Sequence, residues 1–580
     1  PSCLVGNNHH LLPFGGEDIQ IFERDIPGRN EAGLSGQEIS ALPLETCQTM
    51  NGSWGYNIPD TNYKSTEYLI RYLVRTAGKS ANLLLNIGPR PDGTLPDEAV
   101  ERLNAIGEWM KVYGETIYGT EGGCVEEQSW GVTTQKGKKL YVHVLKDRPS
   151  VYLPLSGIRL VRAESFDTGE TISWKQTDDG IVLDIPVCLE EKADRVFVLD
   201  FDREPARNVT EVGGYTAFLY SNMSLGDLEA KPVEYWEANV REVLQARKEA
   251  LWDIPEREFR HFVLPVRVNN EYPDDFRTQY GAELRARVKS LPEDQAALEI
   301  NHWCHEMATY KPSDARTSSP LQTIQRGLGR CGEESVLCVA ALRAAGIPAR
   351  QVYTPRWAHT DDNHAWVEVY VDGKWWFLGA CEPEPRLNMG WFNGPVSRAM
   401  LLHTKVFGNY EGPEDVIDRR GAYTEINVTS GYVPTRRTEV TVVDEDGSRV
   451  SGASVEFKIY NYAEFYTVAK YETRLDGTVA LHTGRGDLLI WASKGDRYGV
   501  AKASGERTTL VLDHRFGRKA SFDFEIFPPV EDPIPTGATE EEIAANKLRL
   551  AQEDEIRSAR PHGNDEVINS FLAAQKGSRN

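Results

Sequence analysis

The sequence predicts a multidomain protein that combines α/β and α+β folds, and three patterns in its 580 residues indicate this. Residues 44–113 alternate apolar strand-like runs with amphipathic helices, as parallel α/β folds do. Residues 125–202 and 435–515 consist of short alternating runs between turn residues, which is typical of β-sandwiches. Residues 328–382 place a helix before a strand and a hairpin, an α+β arrangement.

Composition excludes several classes of function. The net charge of -22 argues against nucleic acid, because binding to a phosphate backbone needs a basic surface. No apolar run approaches the roughly 18 residues that a membrane helix needs. The eight cysteines form no CxxC pair and no Cys/His cluster with zinc spacing. We therefore predict no metal, no cofactor, no nucleic-acid partner and no membrane partner, while the oligomeric state stays open.

Strand-like and helix-like stretches alternate in residues 1–114. "PSCLVGNN" and "LPLETCQTM" are short strands, and "STEYLIRYLVRTAGK" is a helix that Ser65 or Thr66 can cap. "ANLLLNIGP" is a continuous apolar strand of the kind that is buried on both faces. "DEAVERLNAIGEWMKVYG" is a second helix, with Leu103, Ile106 and Met110 on one face.

Four motifs of this region, "LPLETCQTMNGSWGYN", "YKSTEYLIRYLV", "NLLLNIGPRPDGTLP" and "ERLNAIGEWMKVYGETIYGT", closely resemble family 29 α-L-fucosidases, and the similarity covers about residues 1–200. The resemblance implies the C-terminal half of a (β/α)8 barrel, then a β-sandwich, a glycan substrate and a periplasmic or secreted location. It places the catalytic acid/base at Glu23, in "GEDIQIFERDIPG", and a wall of the sugar pocket at Trp54. The alternative for Glu23 is a surface carboxylate beside Arg24 and Asp25.

A retaining glycosidase needs a second carboxylate as its nucleophile. The resemblance puts this aspartate at the end of barrel strand 4, and "PSCLVGNN" corresponds to strand 5. The aspartate's segment would then lie before Pro1. We therefore expect this chain not to hydrolyse fucosides, and its half-barrel, with an open sheet edge, to be the least stable part.

Cys331 is the candidate nucleophile of the second half. It precedes a helix at about 333–343, and a helix N-terminus lowers a thiol pKa. His364 follows on the first strand of a hairpin whose two-residue turn is Asp372-Gly373. A histidine can take the thiol proton while the thiolate attacks a carbonyl. The alternative is a structural thiol, which is how we interpret Cys338, two helical turns further on.

"GRCGEES", "ARQVY" and "HAWVEVYVDGKWWFLGACE" resemble the transglutaminase-like superfamily, and within it the peptide:N-glycanases, over about residues 290–390. The resemblance implies a papain-like α+β core and amide chemistry through a thioester. The superfamily has an Asp that orients the histidine, and Gly379 occupies its position here. With the Asp372-Gly373 turn, His364 would face Cys381, and Glu382 is near enough to act as orienter if the strand bulges or ends there. Loss of an orienting carboxylate costs about 10⁴ in rate in a serine protease.

Trp303, on an amphipathic helix at 291–307, is a candidate on the oxyanion side of the substrate, and a core residue is the alternative. His359, Asp361 and Asp362 form a polar loop beside His364, which we interpret as facing substrate rather than metal.

The sequence thus predicts a Cys/His hydrolase or acyltransferase that acts on an amide of a peptide, a glutamine or a glycopeptide, fused to a truncated α-L-fucosidase region. The alternative is an α-L-fucosidase whose second half is a non-catalytic binding or scaffold module. The predicted domains are a half-barrel at 1–120, a β-sandwich at 121–204, a helical lead-in at 205–280, a transglutaminase-like domain at 281–430, an Ig-like β-sandwich at 431–520 and an acidic helical tail at 521–580.

Overall fold

Four parallel strands form the first sheet of the computed structural model, which describes residues 3–8, 15–312 and 317–561. They are adjacent in chain order, and all three pairings are parallel. As predicted, Ser65 caps the first helix, because its Oγ accepts from the Tyr68 amide at 3.1 Å. The elements are β1 Gly6–Asn7, β2 Ile19–Glu23, β3 Leu44–Thr49, α1 Thr66–Gly78, β4 Ala81–Asn86 and α2 Asp97–Tyr113.

The prediction that "ANLLLNIGP" is buried on both faces is wrong. Leu84 of β4 is 48% exposed, whereas Leu85 packs against apolar residues of α1 and α2. The two helices cover one face of this edge strand, and the opposite face stays open among the described residues.

Two antiparallel sheets follow and enclose one apolar core. One sheet has the order β5-β6-β7-β12-β9 and the other β10-β11-β8. Their strands are β5 Glu121–Gly122, β6 Gly131–Lys136, β7 Lys139–Val144, β8 Ser150–Leu153, β9 Leu160–Ser165, β10 Trp174–Gln176, β11 Ile181–Asp184 and β12 Arg195–Phe201.

The chain divides into two units, and both are built from more than one segment. The first comprises residues 1–221 and 232–237, and the second residues 222–231 and 238–580. Residues 211–249, where the chain passes from one unit to the other, form the helices α3 Glu211–Asn222, α4 Leu225–Ala230 and α5 Val233–Glu249.

The second unit contains a helical layer packed on a six-stranded antiparallel sheet of order β17-β16-β15-β18-β20-β19. Its central helix, α10, is buried along nearly its whole length and packs against α7, α8 and strand β16. The elements are α6 Glu256–Phe262, α7 Phe276–Val288, α8 Glu293–Met307, β13 Thr309–Tyr310, α9 Pro320–Arg326, β14 Leu328–Gly329, α10 Cys331–Ala344, β15 Ala349–Thr354, β16 His364–Val371, β17 Lys374–Leu378, α11 Asn393–Val396, β18 His403–Phe407, β19 Val416–Arg420 and β20 Tyr423–Asn427.

The hairpin of β16 and β17 forms with the predicted turn. Asp372 and Gly373 have φ values of 50° and 77°, the left-handed pair that a type I′ turn requires. The register pairs Val371 with Lys374 and Val367 with Leu378, as the sequence predicts. Strand β17 ends at Leu378, so this ladder stops before it reaches His364.

Two further sheets, of order β24-β21-β27 and β23-β22-β25-β26-β28, share a core in the C-terminal part. The last helix begins as predicted, with Thr539 and Glu542 in a reciprocal capping box, and it packs on α8. Of the predicted helical tail, residues 521–539 are irregular and 562–580 lie outside the described residues. The elements are β21 Thr435–Val443, β22 Ser454–Asn461, β23 Glu464–Glu472, β24 Thr478–Gly484, β25 Leu488–Lys494, β26 Arg497–Ala503, β27 Arg507–Val511, β28 His514–Arg515 and α12 Glu540–Ala559.

None of the helices that the structure describes is both long enough and apolar enough to cross a membrane.

Candidate functional site

Cys331 is the first residue of α10, directly after the short strand β14. The helix start is fixed because the Glu333 carboxylate accepts from the Arg330 backbone N–H at 2.7 Å. The Cys331 thiol is partly buried, and the backbone amide of Ala365 lies close enough to favour its ionised form. Ala365 follows His364 on β16, so the fold brings the predicted nucleophile to the start of the strand that carries the predicted base.

The pKa of this thiol is raised overall and not lowered, contrary to the sequence prediction. Burial raises the pKa of Cys331, and the nearby Glu334 raises it further. The Ala365 amide and the Arg330 charge oppose this shift but do not overcome it. Cys331 is therefore a neutral thiol at neutral pH in the resting structure.

His364 opens β16 and pairs with Thr354 on β15. Its ring lies among three aromatic rings, with centroid distances of 5.5 Å to Trp366, 4.8 Å to Trp391 and 5.0 Å to Phe392. Burial lowers the pKa of His364 to about 4. Its Nε2 atom is buried and has no hydrogen-bond partner among the described residues. The imidazole is therefore neutral at neutral pH.

Glu382 lies beside the position that a side chain at residue 379 would take. A Cβ atom on Gly379 would lie 3.2 Å from Glu382 Oε2, so this carboxylate stands where a side chain at 379 would project. The same Oε2 accepts from Trp391 Nε1 at 3.0 Å. Burial raises the pKa of Glu382, and the bond from Trp391 opposes that shift.

Asn301 of α8 fixes the backbone that carries this carboxylate. Its Nδ2 donates to the Gly379 carbonyl at 2.7 Å, and its Oδ1 accepts from the Cys381 amide at 2.9 Å. Asn301 is fully buried, and Cys381 adopts a left-handed φ of 56°. The amide pair holds the strained turn after β17 and so directs Glu382 toward the site.

Glu334 is a second carboxyl group at this site. It lies one helical turn after Cys331, is 2% exposed, and its Oε1 has no hydrogen-bond partner among the described residues. Burial, then the charges of Glu382 and Glu333, raise the pKa of Glu334 to about 9. Tyr310 also faces the group, because Cys331, Asp362, Glu334 and Glu382 all contribute to its raised pKa after burial itself.

Sequence reasoning did not find Glu334, Trp391 or Asn301. The spacing of three residues between Cys331 and Glu334 puts both on one helix face, and this was a usable signal. Trp391 follows β17 in an irregular segment, where no periodicity indicates its direction.

Trp303 lies in the core of the second unit and not beside Cys331. It is fully buried, its ring packs against Phe276 and Tyr280, and its Nε1 donates to Glu283 Oε1 at 2.8 Å. This favours the core alternative. Cys338 is fully buried, as predicted.

The loop before β16 is held by protein groups. His359 packs on Trp357 at 5.4 Å, and Asp361 Oδ1 accepts from the Tyr462 amide at 2.6 Å. The described residues contain no group of three side chains placed to hold a metal ion.

In the first unit, Glu23 and Trp54 lie near the carboxyl ends of the parallel strands. Glu23 ends β2, and its Oε2 accepts from Asn8 Nδ2 at 2.8 Å. The Trp54 ring lies 5.3 Å below the Arg24 guanidinium, and the Trp54 carbonyl accepts from Asn86, the last residue of β4, at 2.6 Å. Trp54 is 37% exposed.

Comparison with known proteins finds two family matches. Residues 1–115 match the family model of α-L-fucosidase, and residues 281–380 match that of the transglutaminase-like superfamily. Plasma α-L-fucosidase of Rattus norvegicus is 33% identical over 155 residues, covering 24% of this chain and 34% of the relative. α-L-Fucosidase of Dictyostelium discoideum is 29% identical over 150 residues, covering 25% and 31%. The chain spans about a third of the length of these relatives.

Among solved structures, α-L-fucosidase isoenzyme 1 of Paenibacillus thiaminolyticus is 31% identical, with 32% of this chain and 46% of that chain covered and a TM-score of 0.28. The Thermotoga maritima α-fucosidase is 28% identical, with 32% and 43% covered and a TM-score of 0.27. The family matches confirm the resemblance of residues 1–115 to α-L-fucosidases and of residues 281–380 to the transglutaminase-like superfamily.

Proposed function

We propose that the second unit is a thiol hydrolase or acyltransferase that acts on amides, with Cys331 as nucleophile and His364 as general base. One observation carries the proposal: α10, which begins at Cys331, packs on β16, which begins at His364, and the backbone amide of Ala365 acts on the Cys331 thiol. A helix and a strand thus meet with a thiol on one and an imidazole on the other, as nucleophilic catalysis requires.

The reaction starts from neutral groups. His364 removes the Cys331 proton while the sulfur attacks the amide carbon, and the imidazolium then protonates the leaving amine. The resulting thioester is hydrolysed by water or passed to another amine. The raised pKa of Cys331 and the lowered pKa of His364 disfavour an ion pair in the resting state. Proton transfer therefore accompanies attack on the substrate.

Glu382 is the proposed orienting carboxylate. Its position in the space beside Gly379 supports this role, although its Oε2 is bonded to Trp391 in the resting structure. A carboxylate near the imidazole stabilises the imidazolium that forms during the reaction.

The substrate class is an amide in a peptide, a glutamine side chain or a glycosylated asparagine. The fused fucosidase segment favours a glycopeptide by association with glycan processing, and it favours a periplasmic or secreted location. The sandwich of residues 435–515 would act as an Ig-like binding or spacing module.

The test is turnover of three peptides that carry a free glutamine, a free asparagine or an N-glycosylated asparagine, followed by mass spectrometry. We expect at least one to be deamidated or deglycosylated, and the rate to fall by several orders of magnitude in Cys331→Ala and His364→Ala. Cys188→Ala, at a partly exposed thiol of the first unit, is the matched control and should keep full activity. Turnover that survives Cys331→Ala would refute the proposal.

A second candidate is fucoside recognition by the first unit, which we propose to be the C-terminal half of a (β/α)8 barrel. Glu23 and Trp54 at the carboxyl ends of parallel strands support it, because ligands bind at such edges. The assay is hydrolysis of 4-nitrophenyl α-L-fucoside together with binding of L-fucose. Binding that Trp54→Ala weakens would support recognition, whereas hydrolysis that Glu23→Ala abolishes would show that a second carboxylate serves as nucleophile.

A further inference from the structure

Trp391 contacts the proposed base and the proposed orienting carboxylate at once. Its ring centroid lies 4.8 Å from that of His364, with the two planes tilted by 55°. Its Nε1 donates to Glu382 Oε2 at 3.0 Å. The indole is 59% exposed, so it stands at the mouth of the site and covers His364, which is 9% exposed.

We propose that Trp391 is a positioning residue that holds Glu382 and shields one face of His364, and so sets how readily the imidazole takes a proton. The inference rests on the proposed function and adds a residue that acts through the base. While the Trp391 indole N–H donates to Glu382 Oε2, that oxygen is bound to Trp391 and not to His364. While the ring covers the imidazole, water cannot solvate an imidazolium on that face.

Of the three aromatic rings that contact His364, the indole of Trp391 is the exposed one. The other rings against it are Trp366 and Phe392, both fully buried. Burial accounts for the low pKa of His364, with no contribution from a charged neighbour. The titratable and charged groups at the site are Arg330, Cys331, Glu333 and Glu334 at the start of α10, Glu382 after β17, Asp362 on the loop before β16 and Tyr310 on β13. Glu382 in turn faces Glu384 and His305.

Two variants separate the two contacts. Trp391→Phe keeps an aromatic ring over His364 but removes the N–H that binds Glu382. Trp391→Ala removes both. Phe516→Ala is the matched control, since it deletes a ring that is 52% exposed elsewhere in the second unit.

The readout is the titration of the His364 ring, followed by NMR in a chain with labelled histidine and the additional substitution Cys331→Ala. This readout needs no substrate and no reactive thiol.

We expect the His364 titration midpoint to rise by at least about one pH unit in Trp391→Ala, toward the ordinary value near 6.5, because water reaches the ring. Trp391→Phe should also raise this midpoint, because the Glu382 carboxylate, no longer bound by the indole, favours the imidazolium. Glu382→Gln added to Trp391→Phe should cancel that rise. With the thiol restored, alkylation of Cys331 by iodoacetamide at pH 6.5 should speed up several-fold in the same variants.

Midpoints equal to that of wild type in both variants, with the fold retained by circular dichroism, would overturn the inference. If Trp391→Ala does not fold, Trp391→Phe with and without Glu382→Gln decides alone. Failure of the proposed function would look different, because amide turnover would be absent or independent of Cys331 whatever the His364 titration shows.

Discussion

The carboxylate of Glu382 occupies the space into which a side chain at Gly379 would project, 3.2 Å from where its Cβ would lie. A glycine at position 379 leaves room for a carboxyl group that reaches back from three residues further along the chain. The turn that makes this possible depends on Asn301, which binds the backbone at residues 379 and 381.

Gly379→Asp alone should therefore reduce stability and activity, and the additional substitution Glu382→Ala should restore both. Two carboxylates would compete for one partly buried space, and like charges at that separation repel. We expect Gly379→Asp to lower the thermal midpoint and any amide turnover, and Gly379→Asp with Glu382→Ala to recover both. A double-mutant cycle on the thermal midpoint measures this coupling, which should reach about 1 kcal/mol or more. Additive effects would mean that the two side chains do not share the space.

Cys331 should be the reactive thiol of the second unit. Cys304, Cys338 and Cys381 are at most 1% exposed, and burial raises the pKa of Cys381 to about 12. Cys331 is partly exposed. We expect iodoacetamide at pH 8 to modify Cys331 first among these four, as mapped by mass spectrometry, and His364→Ala to slow the reaction about tenfold or more. The partly exposed Cys188 should be unaffected by that change. Equal labelling of the buried thiols would contradict the assignment.

Glu334 should destabilise the second unit at alkaline pH. Its folded pKa of about 9 lies above its ordinary value of 4.5, mainly because of burial. The folded state therefore binds the extra proton between these values, and stability falls as pH rises through that window, by up to about 1.4 kcal/mol per pH unit. Glu334→Gln removes the titration. We expect the variant to protect α10 peptides from hydrogen exchange better than wild type at pH 8.5, and equally at pH 4.5.

Glu472→Gln, at an exposed glutamate of β23, is the control for that experiment and should behave as wild type at both values. A Glu334→Gln variant that loses protection at pH 8.5 would show that Glu334 is ionised and paired in the folded chain.

The sequence was sufficient where short-range chemistry decides the structure. Asp372-Gly373 specified both the turn and the register of the hairpin, and the order of Cys331 and His364 indicated where a helix and a strand would meet. Burial, by contrast, depends on what packs from elsewhere. The thiol pKa of Cys331 rises rather than falls because the fold encloses it, and Leu84 is exposed because helices cover only one face of its sheet. Trp391 comes from an irregular segment, and only the tertiary fold shows that its indole joins His364 to Glu382.

The docking of α12 on α8 should depend on Glu553. This carboxylate is 2% exposed, and its two oxygens lie 2.8 Å from His302 Nδ1 and 2.9 Å from His305 Nδ1. Arg549 Nε donates to it at 2.8 Å. Burial alone would raise the pKa of Glu553, but the adjacent rings of His302 and His305 and the Arg549 guanidinium lower it to about 2. A buried carboxylate with these partners stabilises the helix contact only while it is ionised.

The sign of the pH dependence follows from that shift. A carboxyl group whose folded pKa is depressed contributes stability above its ordinary value near 4.5, and this contribution is lost as pH falls toward about 2. We therefore expect Glu553→Gln to reduce the hydrogen-exchange protection of α12 peptides at pH 6 by tenfold or more, and the gap between variant and wild type to close between pH 4.5 and 2. Glu555→Gln changes an exposed glutamate of the same helix and should leave protection unchanged. If Glu553→Gln protects α12 as well as wild type does at pH 6, another contact holds this helix, and the first to examine is Arg549 with Glu299, whose atoms lie 2.8 Å apart.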